Sequence, residues 1–477
     1  MIKKLDILII ISATAILFLS LSLFSRYDPD PVSFDLDSIM ARGSLIAVTD
    51  YNSTNYFIYK GETMGFNYEL LQAFADHLGV DLEIITENHP GDAIKMLKTG
   101  KADLLAIGLT ANSPRRKRVK FTQPIYETRQ VLIQRKPETW RKMTSDSLEN
   151  RMTRTHPGLA GKTIYVQEGT PHSKGLRSVS KEIGKRLKVK EVQSNSEELI
   201  QLVADGNIDY AVCDENISLV NATYYPDIDV GTPVSQPQGI TWGIRRNHSG
   251  RLLKELNEWI GKFRKTRTYA VLFDKYYENT RSSTIVKSDY YTLSTGKVSP
   301  WDALIKIYSD SINWDWRLLA SLICQESRFE PYVKSWAGAY GLMQLMPATG
   351  KRFGINITSS PGNNIKAGTM YIEWLQQIFE PKIPDESERY RFILASYNAG
   401  PGHVLDAMKL AEKHGKDPTI WEGNVAVWLL KKSDPKYYND TVVKNGYFRG
   451  RESVNFVTEI LERYEHYKNI IPFESSE

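Results

Sequence analysis

The chain has 477 residues, 41% hydrophobic and 25% charged, a soluble globular composition at a length that implies two or three domains. Its net charge of +5 is mild and suits an anionic polymer or a membrane surface, while the lack of a basic arm, an RNA-type motif or a zinc spacing argues against nucleic acid. Cys213 and Cys324 fall in different predicted domains, so no disulfide framework is expected and each reads as a small buried hydrophobe. No metal or cofactor is expected. The aromatic content (10 Trp, 26 Tyr, 16 Phe) suits carbohydrate stacking, although ordinary core and surface use accounts for most of it.

Met1-Ile2-Lys3-Lys4 followed by the apolar run Ile7–Phe24 is a basic n-region and an h-region, so residues 1–26 read as an export signal. At roughly 18 residues the run is also just long enough to stay in a membrane as an anchor. No A-x-A site follows, and no cysteine that could carry a lipid, so cleavage and retention both stay open.

Residues 33–278 alternate strands and helices. Ser44–Val48 is a predicted strand, Tyr68–Leu78 an amphipathic helix ending at Gly79, and Val80–Ile85 the next strand. Ile94–Leu97 is helical, Gly100 caps it, and Asp103–Ile107 returns as a strand. After Gly161 the pattern repeats: strand Thr163–Val166, helix Leu199–Ala204, Gly206 as cap, strand Tyr210–Cys213. Such alternation predicts parallel sheets covered by helices, and two such units predict an α/β body of two lobes with a cleft.

Gly65-Phe66-Asn67-Tyr68-Glu69-Leu70, Gly100-Lys101-Ala102-Asp103 and the stretch from Gly108-Leu109-Thr110 through Phe121-Thr122-Gln123-Pro124 resemble the extracellular solute-binding family that holds amino acids and related small molecules. The resemblance implies that Arg115 holds a ligand carboxylate, for which a guanidinium is suited. It places Thr170 at a second carboxylate-binding position and Asp214 at the amine-binding one. Asn112 and Pro114 depart from the family pattern. The run Arg115-Arg116-Lys117-Arg118 also reads as solvated surface charge, and a lobe kept as a scaffold, or one binding a cell-wall peptide, fits these residues equally well.

Residues 279–299, rich in Ser and Thr, read as a linker. From residue 300 to 477 the chain is mainly α, with helices predicted at Asp302–Ser309, Trp316–Ser327, Ile365–Phe379, Arg389–Asn398 and Ser453–Tyr467. In the second of these, Leu318, Leu319, Leu322 and Ile323 recur at helical spacing, and Pro331 is expected to end it. Glu326 stands in its last turn. Burial and the negative end of the helix dipole both disfavour the charged carboxylate there, which is what a general acid at neutral pH requires. A solvated surface glutamate is the blander alternative.

Glu326-Ser327, then Ser335 and Gly338-Ala339, then Gly341-Leu342-Met343-Gln344, and later Ser396-Tyr397-Asn398-Ala399-Gly400 resemble, in that order, the motifs of the lysozyme-like lytic transglycosylases. The resemblance implies a lysozyme-like fold and one catalytic acid, Glu326. It implies that Ser327 orients the acid, that Gly341, Met343 and Gln344 line the sugar groove, and that Tyr397 and Asn398 stand near the acid and the substrate's N-acetyl group. Taken alone, Met343 reads as core, and Tyr397 and Asn398 as a helix end. In a further family motif, Glu452 to Val457, Phe456 replaces the usual tyrosine and removes a hydroxyl expected beside the acid.

Most glycosidases need two carboxylates. Asp385, Glu386 and Glu388 read as surface, and Glu330 stands beside Pro331 and reads as exposed. One carboxylate suffices when the C6 hydroxyl of N-acetylmuramic acid attacks its own anomeric carbon, as the resemblance implies, to give a 1,6-anhydro sugar. The two resemblances together imply a bacterial periplasmic enzyme acting on peptidoglycan, peripheral to the outer membrane or anchored in the inner one, with an amino-acid or cell-wall-peptide ligand on its first half. Two alternatives stay open: a hydrolase of goose-lysozyme type, and a binding protein whose second half is inactive.

Overall fold

The computed structural model describes residues 35–110, 113–278, 288 and 291–471; the amino-terminal apolar segment, Asn112 and most of the predicted linker lie outside the described residues. Among the described residues no helix is long and apolar enough to cross a membrane.

The first half forms two α/β lobes. In the first lobe β1 (Ser44–Thr49) lies parallel to β4 (Asp81–Thr86) and β5 (Leu104–Thr110). A hairpin of β2 (Phe57–Tyr59) and β3 (Glu62–Met64) stands apart from this sheet. β6 (Val119–Phe121) and β7 (Tyr126–Thr128) complete the outgoing chain. The helix Phe66–Leu78 buries Phe66, Leu70, Leu71 and Phe74 at the spacing of one helical face, and left-handed Gly79 returns its N–H to Ala75 and Asp76. In the second lobe β8 (Gln130–Arg135), β9 (Thr163–Gln167), β10 (Lys188–Val192), β11 (Tyr210–Asp214) and β12 (Ile228–Pro233) lie in the order β10-β9-β11-β8-β12. The chain then returns to the first lobe as β13 (Gln238–Arg245).

The strand alternation predicted parallel sheets, and the structure corrects this. β8, the strand of entry into the second lobe, runs against β11 and β12, and β13, the strand of return, runs against β5, β6 and β7. Helices impose the parallel direction only where they connect successive strands. A strand that arrives from the other lobe is free of that constraint. The two crossings, Thr128 to Gln130 and Pro233 to Gln238, join the lobes.

The second half is helical. Trp316–Ser327 lies at its centre, with Leu318, Leu319, Ala320, Leu322, Ile323 and Cys324 all buried. A helix buried all round is a core helix and not a surface one. The carboxy-terminal helix Arg451–Ile470 covers the face that the periodicity left to solvent, and Ser321 Oγ donates to the Ile460 carbonyl at 2.7 Å. The helices Asp302–Asp310, Pro361–Phe379 and Glu386–Ala399 pack around them. Sequence periodicity missed Pro401–Lys413.

The two halves meet where the carboxy-terminal helix packs against the β2–β3 hairpin and β4. Tyr467 Oη donates to the Gly61 carbonyl at 2.7 Å, Tyr56 Oη and His466 Nδ1 lie 2.8 Å apart, and Asn469 Nδ2 donates to the Ile84 carbonyl at 2.7 Å. Gly61 has φ +78, and a Cβ there would stand 2.5 Å from Phe329 Cε2 and 2.9 Å from Cys324 Sγ. A Gly61→Ala variant is therefore expected to lose about 1–3 kcal/mol, from overpacking and a left-handed Cβ, read as a lower melting temperature in calorimetry of the full chain. Tyr291, within the predicted linker, is buried with its ring 5.6 Å from that of Phe57.

Candidate active site and ligand cleft

The helix that carries Glu326 ends in an unusual way. Arg328 (φ 51) and Phe329 (φ 64) are both left-handed, so the chain turns sharply away two residues before Pro331. Two consecutive left-handed side-chain-bearing residues are strained, and such strain persists only where the surrounding packing holds it. Phe329 is buried under Trp301, whose Nε1 donates to the Phe329 carbonyl at 3.0 Å. The turn leaves Glu326 half-buried at the end of a rigid core helix.

Burial alone pushes the Glu326 carboxyl up to about 8, and no neighbouring charge contributes. Among the described residues its carboxyl takes part in no hydrogen bond or ion pair. Beside it stands Tyr397, half-buried in the last turn of Glu386–Ala399, whose own pKa is raised well above the usual tyrosine value by burial and then by the charge of Glu326. Its hydroxyl donates to the Met343 carbonyl at 2.7 Å. A Tyr397→Phe variant strands that carbonyl, with an expected loss of about 1–2 kcal/mol in stability and about tenfold in kcat, measured by thermal melts and turnover of purified murein.

The other motif residues divide between groove and support. Gln344, left-handed at φ 43, donates from Nε2 to the carbonyls of Val333 and Gly341 and so braces the turn between them. Gly341 (φ 82) is buried, and a Cβ there would stand 2.5 Å from Asn364 Nδ2, so its smallness serves packing against that amide. Asn364 itself accepts from the Met343 N–H at 2.8 Å and donates to the Tyr340 carbonyl at 2.9 Å. Met343, expected to line the groove, is fully buried against Gly368; it holds Tyr397 through its carbonyl and cannot offer its side chain to a sugar. Ser327 is buried and donates to the Ile323 carbonyl of its own helix at 3.2 Å, so its hydroxyl is spent on the helix and not on the Glu326 carboxyl. Asn398 is exposed and accepts from Ser453 Oγ. Phe456 is buried in the core shared with the Glu326 helix.

None of the sequence motifs includes Tyr371, Trp374 or Arg352. Tyr371 lies 5.3 Å from Tyr397, Trp374 stacks on Tyr371 at 5.7 Å and 18°, and the Arg352 guanidinium lies 3.9 Å over Trp374. These rings form an aromatic row that runs from Tyr397, beside Glu326, to the Arg352 guanidinium. The i, i+3 spacing of Tyr371 and Trp374 on one predicted helix was the available signal.

In the first half, Arg115, Thr170 and Asp214 line one cavity between the lobes. Arg115 is only 8% exposed, whereas Arg116, Lys117 and Arg118 are exposed, so the charge run splits into one inward and three outward residues. Its Nη2 donates across the cleft to the Gly169 carbonyl at 2.6 Å. Thr170 Oγ1 donates to the Gln167 carbonyl at 2.7 Å, and Asp214 Oδ1 lies 3.1 Å from His172 Nε2. Asp50, at the carboxyl end of β1, and His172 share this cavity and were not singled out by sequence. Their signal was position, since ligands of α/β sheets gather at the carboxyl ends of strands.

A two-lobed binding body joined to a lysozyme-like helical domain whose central helix ends on a carboxyl raised to about 8 defines a class: a peptidoglycan lytic transglycosylase that carries a solute-binding domain. The family "Bacterial extracellular solute-binding proteins, family 3" matches residues 45–279, and "Transglycosylase SLT domain" matches residues 303–420. Proteins named membrane-bound lytic murein transglycosylase F align over nearly the whole chain: from Desulfosudis oleivorans at 34% identity over 90% of each chain, and from Yersinia enterocolitica at 32% over 90% of this chain and 85% of that one. The chain belongs to the membrane-bound lytic murein transglycosylase F family. Among solved structures, holo ArgBP from T. maritima aligns with 50% of this chain and 98% of its own at 27% identity and a TM-score of 0.41.

Proposed function

We propose that this chain cleaves the β-1,4 bond between N-acetylmuramic acid and N-acetylglucosamine in murein and leaves a 1,6-anhydromuramic end. The observation that carries this reading is a solitary, half-buried carboxyl, Glu326, raised to about 8 by burial with no second carboxylate contributing. Protonated at neutral pH, it donates its proton to the glycosidic oxygen as the bond to the anomeric carbon breaks. The carboxylate so formed then accepts the proton of the C6 hydroxyl as that oxygen bonds to the same carbon, and the acid is regenerated. A hydrolase would call for a second carboxylate roughly 5–9.5 Å away to act as nucleophile or to activate water. The substrate's N-acetyl group steadies the developing positive charge.

The solute-binding half takes a small ligand on Arg115, Thr170 and Asp214 and regulates the other half. The β2–β3 hairpin supports this reading, because its tip at Gly61 touches Cys324 and Phe329, which flank Glu326 in sequence. A ligand that binds two lobe arrangements unequally would shift the hairpin and so the acid. The enzyme is exported and works at the periplasmic face of the outer membrane.

Mass spectrometry of products from purified murein sacculi tests the reaction. Anhydro-muropeptides from the wild type and none from Glu326→Gln are expected. Reducing-end products, heavier by one water, would overturn the transglycosylase mechanism in favour of hydrolysis.

A further inference from the structure

The cleft between the lobes holds more negative charge than a plain α-amino acid would call for. Arg115 and Thr170 suit one carboxylate and Asp214 one ammonium, and that set serves any amino acid. The cleft continues past them. The cavity of about 60 Å3 that contains these three residues also reaches Asp50, and a second cavity of about 30 Å3 shares Asp50, Asn88 and Gln167 with it and ends on Glu197.

Asp50 and Glu197 come from opposite lobes, one following β1 and the other in the first turn of the helix Ser196–Ala204. Asp50 accepts from the side-chain amides of Asn52 and Asn55. Glu197 Oε1 accepts from the Ser53 N–H at 2.9 Å and the Asn221 amide at 3.1 Å. All these donors are neutral, and among the described residues no ion pair forms at either carboxylate. Burial pushes Asp50 up to about 6 against the Asn55 hydrogen bonds, and the charges of Glu197 and Asp214 add to the rise. Burial likewise raises Glu197. Carboxylates gathered in a desolvated crevice without a cation are costly to keep charged. Two buried polar atoms beside them also lack partners among the described residues: the Tyr51 hydroxyl at the second cavity and His172 Nδ1 at the first.

We infer that the cleft is built for an α-amino acid whose side chain ends in a cation, with its carboxylate on Arg115 and Thr170, its α-ammonium on Asp214 and its side-chain cation between Asp50 and Glu197. The inference rests on the ligand-binding reading of this half and names the ligand's class. A cation there neutralises a carboxylate from each lobe at once, so it draws the lobes together as well as filling the site. A neutral side chain of equal length leaves both carboxylates unpaired, and an acidic one adds repulsion, so discrimination comes from the unsatisfied alternative as much as from the favoured pair.

Isothermal titration of the full chain in detergent micelles, with L-lysine, L-ornithine, L-arginine, L-norleucine and L-glutamate near neutral pH, tests it. Norleucine matches ornithine in chain length and shape, and lysine less its terminal ammonium, without the charge. At least one basic amino acid is expected to bind about tenfold or more tighter than norleucine, with glutamate weaker still. Glu197→Gln, which keeps an acceptor for Ser53 and Asn221, and Asp50→Asn are expected to bring that ratio close to one in variants that melt like the wild type. Norleucine or glutamate binding as tightly as the best basic amino acid would overturn the inference and leave ligand binding standing. A basic preference unchanged by both substitutions would also overturn it. No heat from any amino acid or from murein peptides would remove the ligand-binding reading and this inference with it.

Discussion

Glu326→Gln is expected to lower kcat on murein by about 10³-fold or more, because in the proposed mechanism one group supplies both proton transfers and glutamine can supply neither. The substitution keeps the shape of the side chain and leaves the buried helix around it untouched. Its effect should therefore fall on kcat with little change in KM. In the wild type, kcat/KM should fall as pH rises through about 8, where the acid loses its proton, and the residual activity of the variant should lack this limb. Stability should respond as well. The folded carboxyl holds its proton up to about 8 and the unfolded one releases it at the ordinary glutamate value, so between those two pH values the folded state binds more protons. Wild-type stability accordingly falls as pH rises across that window, and the full penalty is present above it. Glu326→Gln removes the penalty. The variant should be the more stable protein by a few kcal/mol near pH 9, since each tenfold difference in proton affinity between folded and unfolded chain is worth ~1.4 kcal/mol. Thermal melts of both proteins across pH 5–9 check the sign. A catalytic group that weakens its own fold is the expected signature of a site selected for chemistry.

The second large effect is expected at Asp406, far from the acid in sequence and fully buried. Its carboxylate accepts from Lys432 Nζ at 2.9 Å, from the backbone N–H groups of Lys444 (3.0 Å) and Asn445 (2.8 Å) and from Asn445 Nδ2 at 2.9 Å. Lys432 is itself 0% exposed and meets His403 Nδ1 at 3.0 Å. Burial works to raise the Asp406 pKa, but the hydrogen bonds from Lys432, Lys444 and Asn445 outweigh it and hold the carboxyl below the usual aspartate range. These bonds tie the segment before the carboxy-terminal helix to the helix Pro401–Lys413, next to the Tyr397–Asn398 turn. Asp406→Ala leaves a buried ammonium and three donors unpaired, and a loss of about 3–5 kcal/mol is expected. For a domain of this size that is a fall of about 10 °C or more in melting temperature. Because the folded pKa is depressed, the wild-type pair contributes fully above the ordinary aspartate range and its contribution fades as pH falls through the lower folded value. Calorimetry of the variant near pH 7, and of the wild type through the acid range, checks both statements.

Local sequence determined most of the elements and the setting of Glu326. Apolar spacing located the helix Trp316–Ser327, Gly79 marked the end of Phe66–Leu78, and the place of Glu326 in the last turn of an apolar helix already implied a raised pKa, for which burial proves to be the cause. These are properties of a few consecutive residues, governed by backbone geometry and side-chain period. Tertiary structure decided what distant residues do to one another. Met343 turned inward because Gly368, on the helix Pro361–Phe379, leaves room for its sulfur; Gly341 is small because Asn364 crosses it; and β8 and β13 run antiparallel because the chain crosses between lobes. Asp50 and Glu197 face one cleft although 147 positions separate them (197 − 50). No periodicity records such a meeting, since it is set by how two lobes close, and closure depends on contacts that only the folded chain brings within reach.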